Sequence, residues 1–246
     1  MKVRLDKLIV TRAITPTRER AQALILAGKI LVNGQKVEKA GAAVEETAEI
    51  RLLGEDLRYV SRGGLKLEKA LQHWQMDVTG KVCLDVGTST GGFTDCLLQH
   101  GAARVIAVDT GYGQIAHSLR HDPRVRLLER TNARYLKADD LGEAVDLIVM
   151  DVSFISATLV LGAVLAAAFP RERQGRQVIV LVKPQFEVGR EQVGKGGIVR
   201  DPVAQQAAVE KVRAKLSDLG GGSIELMESP ILGAGGNREF LLHAEF

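Results

Sequence analysis

From residue 82 onward, apolar residues fall in short unbroken runs separated by amphipathic stretches. The runs lie at 82–86, 105–109, 125–128, 147–151, 178–183, 223–227 and 240–244. Stretches with helical spacing lie at 92–99, 114–120, 156–169 and 202–219. A run such as IVLV at 179–182 shows no alternation with polar residues, which marks a strand buried on both faces. Strand and helix in alternation predict an α/β fold. The expected form is a doubly wound, mostly parallel, seven-stranded Rossmann-like sheet with helices on both faces. Gly221 and Gly222, then Gly233, Gly235 and Gly236, break the chain before the last two runs and read as turns.

The first 50 residues follow another rhythm. Residues 4–12 place Leu5, Leu8 and Ile9 on one side of a short helix. A second helix opens after Thr17, whose hydroxyl suits an N-cap. It carries Ala21, Leu24 and Ile25 on its apolar side and stops at Ala27 and Gly28. Asn33 and Gly34 separate two extended runs, the strongest short signal for a hairpin. A further strand is expected near 48–53. The chain therefore reads as a small α+β domain over 1–50, a linker over 51–60 and an α/β domain over 61–246.

Composition adds little to this picture, but the placement of charge adds more. The 246 residues are 46% hydrophobic and 26% charged, ordinary for a soluble globular protein with room for a sizeable core. The net charge is +3, yet residues 1–40 hold nine Lys or Arg against three acids, which points to a polyanionic partner at that end. Cys83 and Cys96 form no C-x-x-C and fall in a strand and a helix, so free thiols in a reducing compartment are expected. The charged N-terminus lacks the apolar core of a signal peptide. The longest apolar stretch, at 159–169, is eleven residues against the roughly 20 needed to span a bilayer. A cytoplasmic location and no membrane partner are expected.

Candidate chemistry gathers around LDVGTSTGGF at 84–93. Its GTSTG matches the nucleophile elbow of hydrolases, but that elbow needs an acid and then a histidine later in the chain. The one late histidine, His243, lies inside a strand. The same letters read as a glycine-rich turn between a first strand and a first helix, where Gly87, Ser89, Gly91 and Gly92 admit a nucleotide-like cofactor and Phe93 opens the helix. Asp109, 22 residues after Gly87, ends the next strand and suits ribose hydroxyls. The dinucleotide pattern G-x-G-x-x-G fails at Ser89. Asp85 suits a cofactor with a cationic amino group, so S-adenosylmethionine fits better. Arg130 and Asn132 follow the third strand, where adenine contacts commonly lie, and Tyr112 and Gln114 follow the ribose acid. A second decoy, GREQVGK at 189–195, starts like a phosphate-binding P-loop, but Gly196 stands where Ser or Thr must hold magnesium. It is expected to be a flexible loop near the site.

The sequence also carries resemblances. RLDKLIV and TRERAQALILAGKILVNGQKV look like the small RNA-binding module named after a ribosomal protein of the small subunit, over about residues 2–50. This likeness implies phosphate contacts from Arg4, Lys7, Arg18, Arg20 and Lys29. Lys66, Asp151, Lys183 and Glu239, set in SRxxxKL, DVS, VKPQF and GNREF, resemble the catalytic tetrad of FtsJ-type ribose 2′-O-methyltransferases. Over nearly the whole chain the sequence resembles the TlyA family, also labelled hemolysin A. That resemblance implies a Rossmann-like methyltransferase domain, S-adenosylmethionine as cofactor, and methylation of cytidine ribose in ribosomal RNA or ribosomal subunits, with no metal. A ribose hydroxyl must lose its proton as it attacks, and a lysine serves as base when a neighbouring cation and partial burial loosen its own proton. Lys183 is the expected base with Lys66 beside it, or the reverse, with Asp151 and Glu239 orienting the amines. Two other readings compete: a membrane-lytic hemolysin, and a non-catalytic RNA-binding assembly factor.

Overall fold

The structure is a computed structural model that describes residues 1–15, 17–53, 58–169 and 175–246. The chain divides into two compact units, Met1–Leu57 and Arg58–Phe246.

In the first unit, β1 (Lys2–Arg4) runs into α1 (Leu5–Thr11), followed by α2 (Arg18–Leu26), β2 (Ile30–Val32), β3 (Gln35–Lys36), β4 (Ala43–Glu45) and β5 (Ile50–Leu52). Thr17 caps α2 by accepting the Arg20 amide at 3.2 Å, as its hydroxyl led one to expect. Asn33 and Gly34 both take left-handed φ, 50° and 79°, the requirement of a tight hairpin turn between β2 and β3. β1 pairs with β4, and β2 lies between β3 and β5, all antiparallel. Leu5, Leu8 and Ile9 of α1 close on Ala21, Leu24 and Ile25 of α2, so each helix buries the stripe its spacing defined. β1 and β4 are three-residue strands that the local pattern did not announce.

The expected linker over 51–60 is shorter at both ends. Arg51 and Leu52 belong to β5, paired with β2. Tyr59 is buried in the second unit. Residues 54–57 lie outside the described residues.

The second unit opens with α3 (Gly63–His73), a helix that the sequence pattern did not announce. Then come β6 (Val82–Val86), α4 (Gly92–Gln99), β7 (Arg104–Val108), α5 (His117–Arg120), β8 (Val125–Leu128), α6 (Ala138–Leu141), β9 (Leu147–Met150), α7 (Thr158–Ala168), β10 (Gln177–Val182), α8 (Pro184–Glu187), α9 (Pro202–Asp218), β11 (Gly222–Glu228) and β12 (Phe240–Glu245). The seven strands form one sheet in the order β11-β12-β10-β9-β6-β7-β8. All neighbours are parallel from β10 to β8, and β12 runs antiparallel to both β10 and β11. Two apolar clusters cover the two faces, one around Leu84, Val86, Ile148 and Val180, the other around Cys83, Val105, Val149 and Ile179. Successive residues of β6 therefore face opposite layers.

The helix expected over 114–120 forms only as His117–Arg120. Ile115 is instead buried, and the Ala116 amide bonds the Thr90 carbonyl at 3.1 Å, so packing against the glycine loop takes the residues a first turn would have used.

Sheet order reverses between β6 and β9, which makes the carboxyl edge there the place where a doubly wound fold opens a crevice. β12 adds to the same edge in an unusual way. Because it runs antiparallel, its first residue, Phe240, pairs with the last residue of β10, Val182. The residue before a strand start and the residues after several strand ends are thereby gathered at one rim.

Candidate active site

Two cavities open on this rim. The first, about 630 Å³, is lined by Lys66, Asp151, Lys183 and Glu239 together. Each comes from a different element: Lys66 from the second turn of α3, Asp151 just after β9, Lys183 just after β10, Glu239 just before β12. They stand as two ion pairs. Lys66 Nζ lies 2.5 Å from Glu239 Oε2, with the two side chains 10% and 2% exposed. Lys183 Nζ lies 2.6 Å from Asp151 Oδ1 and donates to Ser153 Oγ at 2.7 Å.

The second cavity, about 470 Å³, lies along the ends of β6 and β7 and is lined by Gly87, Ser89, Asp109 and Asn132 among others. That volume is of the size that takes a nucleoside-like ligand. Asp109 accepts the Ser89 amide at 2.7 Å and the Gly111 amide at 2.6 Å. A carboxylate has about four acceptor sites, so capacity remains for ribose hydroxyls. Asn132 lines the cavity while its Oδ1 accepts the Arg134 amide at 3.1 Å. Ser89 is itself left-handed, with φ 50°, and among the described residues no histidine lines either cavity, which leaves a serine nucleophile without a base. Gly87, Ser89, Asp151, Ser153 and Phe154 line both cavities and form their common wall.

The glycines of the loop are required by protein neighbours as much as by any ligand. Gly87 has φ 87°, and a Cβ there would lie 2.4 Å from the Asp151 carbonyl oxygen. The turn after β6 thus presses directly on the residue that follows β9. Gly91 lines neither cavity; it takes φ 95° as N-cap of α4 and packs beside Leu119 and Ile115. Gly92 does line the first cavity, and Phe93 stands beside it, 3% exposed.

Asp85, expected to meet the cofactor, is fully buried and lines neither cavity. It points to the layer of α4, where the Thr94 hydroxyl donates to its Oδ2 at 2.6 Å and Oδ1 has no partner. Burial raises its pKa to about 7. The Thr94 hydrogen bond opposes the rise, and the charges of Asp151 and Asp109 add to it. The carboxyl therefore supports the loop from beneath. Arg130 also stays outside both linings: it has φ 54°, and its guanidinium stacks 4.3 Å over the Tyr112 ring.

In the first unit, two of the five predicted phosphate contacts share one buried anchor. Asp6 is fully buried and receives Arg4 Nε at 3.0 Å, Arg4 Nη2 at 2.9 Å, Arg18 Nε at 2.9 Å and Gln22 Nε2 at 2.9 Å. The Arg4 contact above all holds its carboxyl far below the usual carboxylate range. The two guanidiniums are still 48% and 44% exposed and keep further N–H donors. Lys7 is exposed, and Arg20 and Lys29 are half-buried.

The sequence reading did not single out Ser153, Phe154, Arg62 or Asn237. Each stands within four residues of Lys66, Asp151 or Glu239, and all but Phe154 fall inside the motif quoted for that neighbour. Phe154 is the plainest of them, 92% exposed with φ 64° at the common wall. The loop after residue 189, expected to be flexible, is latched. Val199 donates its amide to Asn237 Oδ1 at 3.0 Å, and Asn237 Nδ2 donates to the Gly197 carbonyl at 2.9 Å.

A doubly wound sheet with a nucleoside-sized cavity at its switch point, joined through one wall to a cavity holding two lysine–carboxylate pairs, defines a methyltransferase of the FtsJ-like class. Residues 59–246 match the FtsJ-like methyltransferase family and residues 3–50 match the S4 domain. The chain is 45% identical over 242 residues to the 16S/23S rRNA (cytidine-2′-O)-methyltransferase TlyA of Mycobacterium tuberculosis, covering 98% of this chain and 89% of that protein. It is 40% identical over 243 residues to Hemolysin A of Brachyspira hyodysenteriae, covering 98% and 99%. A solved structure from Streptococcus thermophilus superposes with a TM-score of 0.75 at 45% identity, over 99% of this chain and 88% of that one. The chain belongs to the TlyA family of FtsJ-like methyltransferases.

Proposed function

We propose that the chain methylates the 2′-hydroxyl of cytidine ribose in ribosomal RNA, with S-adenosylmethionine as donor and Lys66, Asp151, Lys183 and Glu239 as its catalytic tetrad. The observation that carries this reading is the common wall: Asp151 and Ser153 line both cavities, and Lys183 holds to both residues. The named activity of the Mycobacterium tuberculosis relative supplies the RNA, the nucleotide and the ribose position.

The second cavity would hold the cofactor, with Asp109 on the ribose hydroxyls, Asn132 near the base, and Gly87 and Ser89 along the methionine end. What S-adenosylmethionine supplies when bound is an electrophilic methyl group on a sulfonium sulfur. The acceptor hydroxyl enters from the first cavity. Lys183 takes up the hydroxyl proton as the oxygen attacks, and Asp151 holds the amine at the common wall. Lys66, more deeply buried and paired with Glu239, places a second cation within the same cavity. Alignment of oxygen and methyl across the wall supplies much of the remaining acceleration. Asp6, by fixing Arg4 and Arg18, would present the first unit's cations to the RNA backbone.

No helix among the described residues is long and apolar enough to cross a membrane, and α7 turns Val160, Leu161, Val164 and Leu165 into the core.

Lys183→Ala is expected to lower methyl transfer to RNA by roughly 10²–10⁴-fold while S-adenosylmethionine binds by calorimetry as in the unaltered protein. Retained turnover in that variant would remove Lys183 from the role of base.

A further inference from the structure

Among the described residues, five charged side chains line the first cavity: Arg62, Lys66, Asp151, Lys183 and Glu239. Four of them cancel as the two pairs already described. Arg62 has no carboxylate partner among the described residues, so the cavity's net charge of +1 is its charge alone. The substrate class makes that charge meaningful. In RNA, the carbon beside the 2′-hydroxyl carries a phosphodiester, so a cavity that receives the hydroxyl must also receive an anion. We propose that Arg62 forms the phosphodiester subsite of the acceptor cavity, gripping the backbone phosphate next to the ribose that is methylated. The subsite rests on the ribose-methylation reading above.

The placement of Arg62 supports this. It precedes α3 as its N-cap, four residues before Lys66, so the two side chains rise from the same side of the helix about one turn, roughly 5.4 Å, apart. Lys66 reaches inward to Glu239, and Arg62 stands exposed at the opening. The backbone around it is wedged. Ser61 Oγ would lie 2.2 Å from a Cβ on Gly92 of the cofactor loop, and the Tyr59 ring would lie 2.3 Å from a Cβ on Gly64. A guanidinium on a fixed base, not committed to any carboxylate, suits bidentate capture of a phosphate, which a lysine ammonium does less specifically.

The test is steady-state methyl transfer to ribosomal RNA over a salt series, with Arg62→Gln and Arg62→Lys compared to the unaltered protein. Arg62→Gln is expected to raise the KM for RNA about tenfold or more and to leave the Kd for S-adenosylmethionine unchanged. Loss of one phosphate contact makes the slope of log(kcat/KM) against log[salt] shallower by ~0.7–0.9. Arg62→Lys keeps the slope and recovers part of the KM. A Gln variant with the original KM and slope would overturn the subsite and leave the methylation reading standing. An unaltered protein that transfers no methyl to any ribosomal RNA would overturn both.

Discussion

Asp85 shows how a residue chosen for a ligand can serve the fold instead. Its position before the glycine loop suggested a cofactor contact, but strand alternation turns it away from the crevice into the layer of α4. There it is a buried carboxyl with pKa about 7, well above its unfolded value of roughly 3.9. A carboxyl with a raised folded pKa contributes its stability at low pH, below the unfolded value, and loses it as pH rises through about 7. Asp85→Asn keeps an acceptor for the Thr94 hydroxyl and cannot ionise. Its melting temperature should therefore gain on that of the unaltered protein as pH goes from 5 to 8, by ~2–4 °C for each kcal/mol relieved. Thermal denaturation across that range checks this, and a difference that stays flat with pH would mean that Asp85 is not the group that titrates.

At the scale of elements, the site depends on loops held in register by a few contacts. Asn237, 2% exposed, bonds Val199 and Gly197 and accepts the Gly233 amide on its carbonyl at 2.8 Å. It thus fastens residues 194–199, part of the first cavity's wall, to the turn that delivers Glu239. Asn237→Ala should cost roughly 1–3 kcal/mol of stability by leaving buried partners unpaired. It should also speed hydrogen exchange at 194–199, and kcat/KM should fall while S-adenosylmethionine affinity holds. Protection unchanged in that segment would contradict the latch. The strands of the large sheet were legible because burial on both faces leaves an unbroken apolar signature. Helix α3 was not, although Leu67, Ala70 and Leu71 have helical spacing, because Gly63 and Gly64 at its start have low helix propensity. The tight fit of Gly64 against Tyr59 and of Gly92 against Ser61 explains those glycines, and no local pattern encodes such contacts. β1 and β4 were hidden for a related reason: each is short, and their pairing joins residues some 40 apart in sequence.

For the whole molecule, the division of labour follows from two separate cores and two different surfaces. The first unit carries the basic excess and the Asp6-anchored arginines, and the second carries both cavities. The four proposed tetrad residues could be picked out from the sequence because they fall at strand ends or in motifs that resemble those of FtsJ-type enzymes. Their assembly into two pairs could not, since it depends on β12 running antiparallel and bringing Glu239 to the rim. We propose that this rim methylates ribose in ribosomal RNA. The most direct measurement incubates the protein with ribosomal RNA or subunits and methyl-labelled S-adenosylmethionine, then identifies the labelled nucleoside by mass spectrometry. The expected result is label in 2′-O-methylcytidine, absent when Lys183→Ala replaces the unaltered protein. Label on a base, or none in any ribosomal RNA, would contradict the account.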